Sequence, residues 1–208
     1  MSENTEIEAK IIIPKSIYQK LCQDFFNKSN FTQENYYFDT DSGLLQKKRI
    51  SCRVRLFNDR AEQTLKVPNP NPIQQDFHEV IEINDYLSLP KGQSLIAVGK
   101  KATQLVFFEG NVGNYLNSHF GKNYKLHVQT YSKTQRILAV GPKNCELTFD
   151  NNIYPDGYQD FELEIENSDS KLIATVLKDL KSEYNINEIP QNTNQSKIGR
   201  AFKHRVKI

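Results

Sequence analysis

Two stretches of this 208-residue chain set carboxylates two residues apart: Glu6 and Glu8 near the N-terminus, and Glu162, Glu164 and Glu166 much later. Apolar residues fill the alternate positions, Ile7 and Ala9 in the first and Leu163 and Ile165 in the second. Alternation of period two belongs to a strand, so each set of acids shares one strand face, and Lys10 extends the first. Arg53 and Arg55 share a face in the same way, opposite Cys52, Val54 and Leu56, while Lys66 and Arg136 add cations in other segments. Any antiparallel sheet with one wet side alternates like this. What needs explaining is the sorting of sign, because surface charge ordinarily mixes within a strand. If the sheet closes with its charged faces inward, the acids can hold a hard divalent ion through oxygen. The Arg forks and Lys point charges can then grip a polyanion. A triphosphate with Mg²⁺ or Mn²⁺ uses both halves, since the ion bridges phosphate oxygens and offsets charge as the leaving-group bond breaks.

Other chemistries lack their residues. No GxxxxGKS/T loop, GxGxxG turn, GxSxG elbow or HExxH pair occurs, so the common nucleotide and hydrolase motifs are missing. His78, His119, His127 and His204 have no ligand spacing, and Cys22, Cys52 and Cys145 are odd in number, far apart and without a CxxC pair. Such cysteines suit packing in a reducing cytosol. Lys and Arg total 27 against 25 Asp and Glu, a net charge of +2 with no like-charge tail. That balance argues against a nucleic-acid partner. The opening MSENTEIEAK has no apolar core, and apolar runs such as Ile11 to Ile13 and Leu105 to Phe108 are far too short to span a bilayer. The expectation is a cytoplasmic protein without a membrane partner.

The elements that must position these residues follow from pattern. Strands are expected at 5–13, 35–38, 50–57, 62–67, 77–83, 125–131, 135–140, 146–150 and 160–166, with a hairpin turn at Asn58-Asp59-Arg60. A helix should open at Pro14 and Ser16, with Gln19 completing a capping box and Ile17, Leu21 and Phe25 as its stripe. Further helices are expected at 94–109 (Leu95, Val98, Ala102, Leu105), 111–120, 169–184 and 195–206. A length of 208 residues favours one domain, 1–208, and about eight strands suit a closed barrel.

Glu6-Ile7-Glu8-Ala9-Lys10 matches the ExExK motif of the CYTH superfamily, also called triphosphate tunnel metalloenzymes. The match continues in order through YYFDT (36–40), CRVRLF (52–57), TLKVP (64–68), VIEIND (80–85), KTQR (133–136), LTFD (147–150) and DFELEIE (160–166). The chain therefore resembles that family over nearly its whole length, and most of all its small, single-domain bacterial branch. The resemblance implies an α+β fold: a closed eight-stranded antiparallel β-barrel whose charged lumen forms a tunnel, with helices packed outside. It implies that Glu6, Glu8, Glu162 and Glu164, with Asp150 close by, hold the metal. Lys10, Arg53, Arg55, Lys66 and Arg136 would bind triphosphate, joined by Lys197 in QSKIGRAF, and Lys10 and Glu82 would stand at the reacting centre. Family members act on triphosphates with a divalent metal. The expected activity is hydrolysis of inorganic tripolyphosphate or of a nucleoside or thiamine triphosphate. The alternatives are a class IV-type adenylate cyclase and a non-catalytic polyphosphate or nucleotide sensor.

Overall fold

The computed structural model describes residues 3–74, 76–101, 104–121, 124–186 and 196–206. Its strands are β1 (Glu3–Ile13), β2 (Asn27–Asp39), β3 (Ser51–Leu56), β4 (Arg60–Pro68), β5 (His78–Ser88), β6 (His127–Val140), β7 (Glu146–Ile153) and β8 (Gln159–Glu166). They close in the order β1-β5-β4-β3-β2-β6-β7-β8, with β8 returning to β1 and every pairing antiparallel. The helices are α1 (Lys15–Asp24), α2 (Leu44–Lys47), α3 (Leu89–Gly99), α4 (Gly110–Phe120), α5 (Ser170–Glu183) and α6 (Lys197–Lys203). None among the described residues is long and apolar enough to cross a membrane.

The barrel is oily outside and polar inside, because the helices cover its outer face in two groups. Under α1 and α5, the β1, β7 and β8 residues Ile7, Ile11, Phe149, Leu163 and Ile165 meet Leu21, Ile173, Val176 and Leu180. Under α2, α3 and α4, Cys52, Val54, Leu65 and Ile83 meet Leu45, Leu95, Ile96, Val112 and Leu116. Since side chains alternate across a strand, burying one parity under helices sends the other into the lumen. At Gly92 a Cβ would lie 2.5 Å from the Ala61 Cβ, so glycine lets α3 close on the sheet. Asp85 of β5 caps α4 from outside it, accepting from the Asn111 and Val112 N–H groups at 2.9 Å each.

Several elements differ from the sequence reading. The helix expected at 94–109 runs from Leu89 to Gly99, started by a Ser88 cap with Pro90 in the first turn; Ala102 of its stripe lies outside the described residues, and Leu105 follows in non-helical chain. The capping box at Ser16 does not form, because Pro14 is the N-cap and no side chain caps α1. Strands 125–131 and 135–140 are one strand, β6, and β2 starts at Asn27 rather than 35. Both hid their length because their inward residues, Gln33, Asn35, Ser132 and Thr134, are buried polar groups. The last helix is shorter than 195–206, and residue 195 is not described.

Candidate active site in the barrel lumen

The strongest concentration of acid comes from adjacent strands. Asp150 of β7 faces Glu162 of β8 across the ladder, and Glu164 lies two residues further along the same face. Carboxylate oxygens of all three lie within 4.8 Å of one another. Arg136 of β6, directly opposite Asp150, grips it with two bonds of 2.8 and 2.6 Å and reaches Glu164 at 2.9 Å. Lys197 of α6 touches Asp150 and stands 3.1 Å from Glu162 and 3.6 Å from Glu164. Arg200, one turn on, contacts Glu162 and lies 2.8 Å from Asp160 and 2.9 Å from the Tyr154 hydroxyl. Burial pushes the Glu162 carboxyl up to about 7, with the neighbouring Glu164 charge adding to the effect against the pull of Lys197 and Arg200. Burial also opposes ionisation of Glu164 and Asp150. Lys197, Lys10 and Arg136 outweigh it for Glu164, as Arg136 and Lys197 do for Asp150, and hold both below the usual range.

The β1 face continues this cluster. Lys10, opposite Glu164 in the ladder, lies 2.6 Å from Glu8 and 3.4 Å from Glu164. Burial favours its neutral form, but Glu8, Glu164 and Glu162 prevail and keep it an ammonium. Glu6 is paired with Lys66 of β4, which also stands 3.7 Å from Glu82 of β5.

The basic wall is β3. Arg53 lies 3.3 Å from Glu82 and 3.7 Å from Glu62, and Arg55 lies 3.0 Å from Glu62. The Arg55 Nε–H donates to Asn35 Oδ1 at 2.8 Å, an aim set by the direct Asn35–Arg55 cross-strand pair. Burial of Glu82 is overcome by Lys66 and Arg53, which hold its carboxyl at about 2. Arg53 Nε and Asn35 Nδ2 are buried and donate to nothing among the described residues, so this wall has N–H groups to spare for an anion.

These walls enclose one cavity of about 680 Å³ that also reaches Glu6, Glu8 and Lys10. Asp150 and Glu162, both 0% exposed, sit behind its surface. The structure thus gathers the residues read from the sequence around one lumen, but divides the acids. Asp150, Glu162 and Glu164 form the tight group, whereas Glu6 and Glu8 are each engaged by a lysine. Lys197 and Arg136, read as phosphate binders, have carboxylates as their partners here. The donor set is all oxygen and buried, as a hard divalent cation requires. Glu162 Oε1 faces the Lys197 ammonium at 3.1 Å and makes no hydrogen bond among the described residues, so an ion bound there would take the place of that ammonium.

Four lumen residues escaped the sequence reading. Glu62 sits four before Lys66 on the same β4 face, Asp160 begins the alternation of Glu162 and Glu164, and Arg200 follows Lys197 by three on α6. Those spacings could have found them. Asn35 offered no such sign, being a neutral amide whose use depends on its neighbour across the ladder.

A barrel of eight antiparallel strands, with apolar faces under helices and opposed acids and bases inside, defines the class: a charged tunnel. The CYTH domain model matches residues 4–197, and the chain belongs to that family. Over 96 residues it is 32% identical to YjbK of Bacillus subtilis (strain 168), provisionally named a triphosphatase. That match takes in 44% of this chain and 50% of YjbK, so the chain spans half the length of the curated relative it matches. A Bacillus halodurans protein provisionally described as an adenylate cyclase has the same fold, with TM-score 0.79, 23% identity, and 97% and 100% of the two chains covered. So does HpAC1 from Hippeastrum, a provisional adenylyl cyclase described as having a dominant triphosphatase activity, with TM-score 0.78, 20% identity and 97% of each chain covered.

Proposed function

We propose that the protein hydrolyses a triphosphate inside the barrel with the help of Mg²⁺ or Mn²⁺. The observation that carries this reading is the opposition, across one cavity, of Arg53, Arg55 and Lys66 to Glu164, behind which Asp150 and Glu162 lie buried in the same three-acid group. Membership of the CYTH family and the triphosphatase descriptions of YjbK and HpAC1 support it. Arg53 and Arg55 bind phosphate oxygens, for which their planar forks are suited. Glu62 and Glu82 keep those forks aimed into the lumen until an anion arrives. Lys10 is too firmly protonated to act as a base, so it stabilises charge on the phosphoryl oxygens. Glu82 is ionised but weakly basic, so it orients a water by accepting a hydrogen bond rather than by taking its proton. Asp150, Glu162 and Glu164 would hold the cation, with Glu6 and Glu8 extending the acid face towards the phosphates. Once bound, the ion supplies charge neutralisation at the phosphate oxygens. The water adds to the terminal phosphorus as the P–O–P bond breaks, and the bridging oxygen leaves on the remaining diphosphate.

The three cysteines are free, two of them buried, which supports a reducing, cytoplasmic setting. The deciding experiment incubates the protein with tripolyphosphate, ATP, GTP and thiamine triphosphate, each with Mg²⁺ and Mn²⁺, and identifies the products. Orthophosphate with the matching diphosphate supports the hydrolase. Cyclic AMP with diphosphate would replace it with a cyclase, and tight binding without products would replace it with a sensor.

A further inference from the structure

Two cations of α6 meet Glu162 from different places. Lys197 lines the cavity and stands 3.1 Å from Glu162 Oε1. Arg200, one turn further along, is 6% exposed and lies behind the cavity wall, where its Nη2 donates to Glu162 Oε2. The carboxylate is thereby divided, with one oxygen for a cation at the cavity and the other for a cation in the wall. A lysine at the cavity surface can give way to a divalent ion, whereas the guanidinium behind is held in place. Its Nε–H meets the Tyr154 hydroxyl at 2.9 Å and Asp160 Oδ2 at 2.8 Å. The Tyr154 hydroxyl donates to the same Asp160 oxygen at 2.8 Å, and Asn152 Nδ2 donates to the other at 2.9 Å. Asn152 Oδ1 in turn accepts from the Thr134 hydroxyl at 2.7 Å. This chain runs from β6 through β7 and β8 to α6, and Thr134, Asn152, Tyr154 and Asp160 are all buried. Polar groups satisfied by one another away from water make a rigid unit.

We propose that Arg200 is a positioning residue for the cation site: it holds Glu162 by Oε2, keeps Oε1 turned to the place of the Lys197 ammonium, and stays on the carboxylate when a divalent ion takes that place. This rests on the cation reading of Asp150, Glu162 and Glu164. Without Arg200, Oε2 of a carboxylate that has no exposure and stands beside two others would lose its counter-charge. Only a planar fork serves Glu162, Asp160 and Tyr154 together, which the point charge of a lysine does not reproduce. Arg200 has no path to the phosphates, so its effect on them passes through Glu162.

The test measures the dissociation constant of Mn²⁺ by calorimetry, below the melting transition of every variant and without substrate. Arg200→Lys keeps the charge, so a change reads geometry rather than field, and Mn²⁺ should bind about tenfold more weakly, as when a partner that orients a metal ligand is lost. Tyr154→Phe removes one hydroxyl from the chain and should weaken Mn²⁺ about fivefold, the worth of one neutral hydrogen bond. If Arg200→Lys fails to fold, Tyr154→Phe decides. Thr130→Val separates positioning from mere docking of α6, because the Thr130 hydroxyl anchors the helix through the Ala201 carbonyl at 2.7 Å and touches no acid of the site. That variant and the exposed Lys203→Ala should stay within about twofold of wild type, well under the loss from one hydrogen bond. Unchanged Mn²⁺ affinity in Arg200→Lys and Tyr154→Phe overturns the role of Arg200 and leaves the cation site standing. An equal loss in Thr130→Val overturns it too, since loosening α6 would then suffice. Wild type that binds no Mn²⁺ removes the cation reading and this role with it.

Discussion

Replacing Lys197 by Met tests whether the three acids form a cation site. The Lys197 ammonium stands 3.1 Å from Glu162 and 3.6 Å from Glu164, and it also touches Asp150. At an effective dielectric constant of about 20, each of the two measured contacts carries a gross attraction of about 5 kcal/mol. Desolvation offsets much of that, since the Lys197 side chain is only 13% exposed. Removing one partner of such a buried group costs about 3–5 kcal/mol, because the remaining charges lose their compensation. For a chain of this size, roughly 2–4 °C of melting temperature accompanies each kcal/mol, so metal-free Lys197→Met should melt about 6–20 °C below wild type. A divalent ion then occupies the place that the ammonium fills. Titrating Mn²⁺ should raise the melting temperature of the variant more than that of wild type and close at least half of the gap at saturation. The assay is a thermal melt series from chelator to excess Mn²⁺. A gap that Mn²⁺ leaves unchanged would refute the reasoning, since the acids would then prefer the lysine for reasons unconnected with a metal.

Three further outcomes are expected. Arg53→Ala and Arg55→Ala should each weaken triphosphate binding by about 2 kcal/mol, roughly 30-fold, with folding retained; equal losses in the exposed control Lys48→Ala, read by calorimetry, would sink the assignment. Glu164→Gln keeps its shape but removes the charge facing Lys10, Arg136 and Lys197, so turnover should collapse at low Mn²⁺ and recover partly as Mn²⁺ rises, and an unchanged metal dependence would speak against it. For pH, the Glu162 carboxyl is raised from 4.5 to about 7 in the folded chain, so its proton stabilises the fold fully below the unfolded value and that contribution is lost as pH rises through about 7. In chelator, the melting temperature of wild type minus that of Glu162→Gln should therefore fall between pH 5 and pH 8, and a flat or rising difference contradicts the raised carboxyl.

The alternation of Glu6 with Ile7 and of Glu162 with Leu163 is a local property, so strand, face and the identity of the charged side chains could all be read from the chain. The hairpin at Asn58 to Arg60 and the helix expected at 169–184, found as α5, were legible for the same reason, since each depends on neighbours a few residues away. Local alternation does not separate a sheet with one wet side from a closed barrel. That was decided when β8 returned to β1, pairing Lys10 with Glu164 across more than 150 residues. Ladder register then chose the partners: Asp150 met Glu162 and Arg136, and Arg55 met Asn35. It also engaged Glu6 with Lys66 and kept it out of the three-acid group. The cost of burying charge makes these choices collective, because a carboxylate with no exposure persists only where cations from other strands and from α6 converge on it. Spacing along the chain carries the parity of a side chain, but the distance to its counter-ion exists only after the barrel has closed.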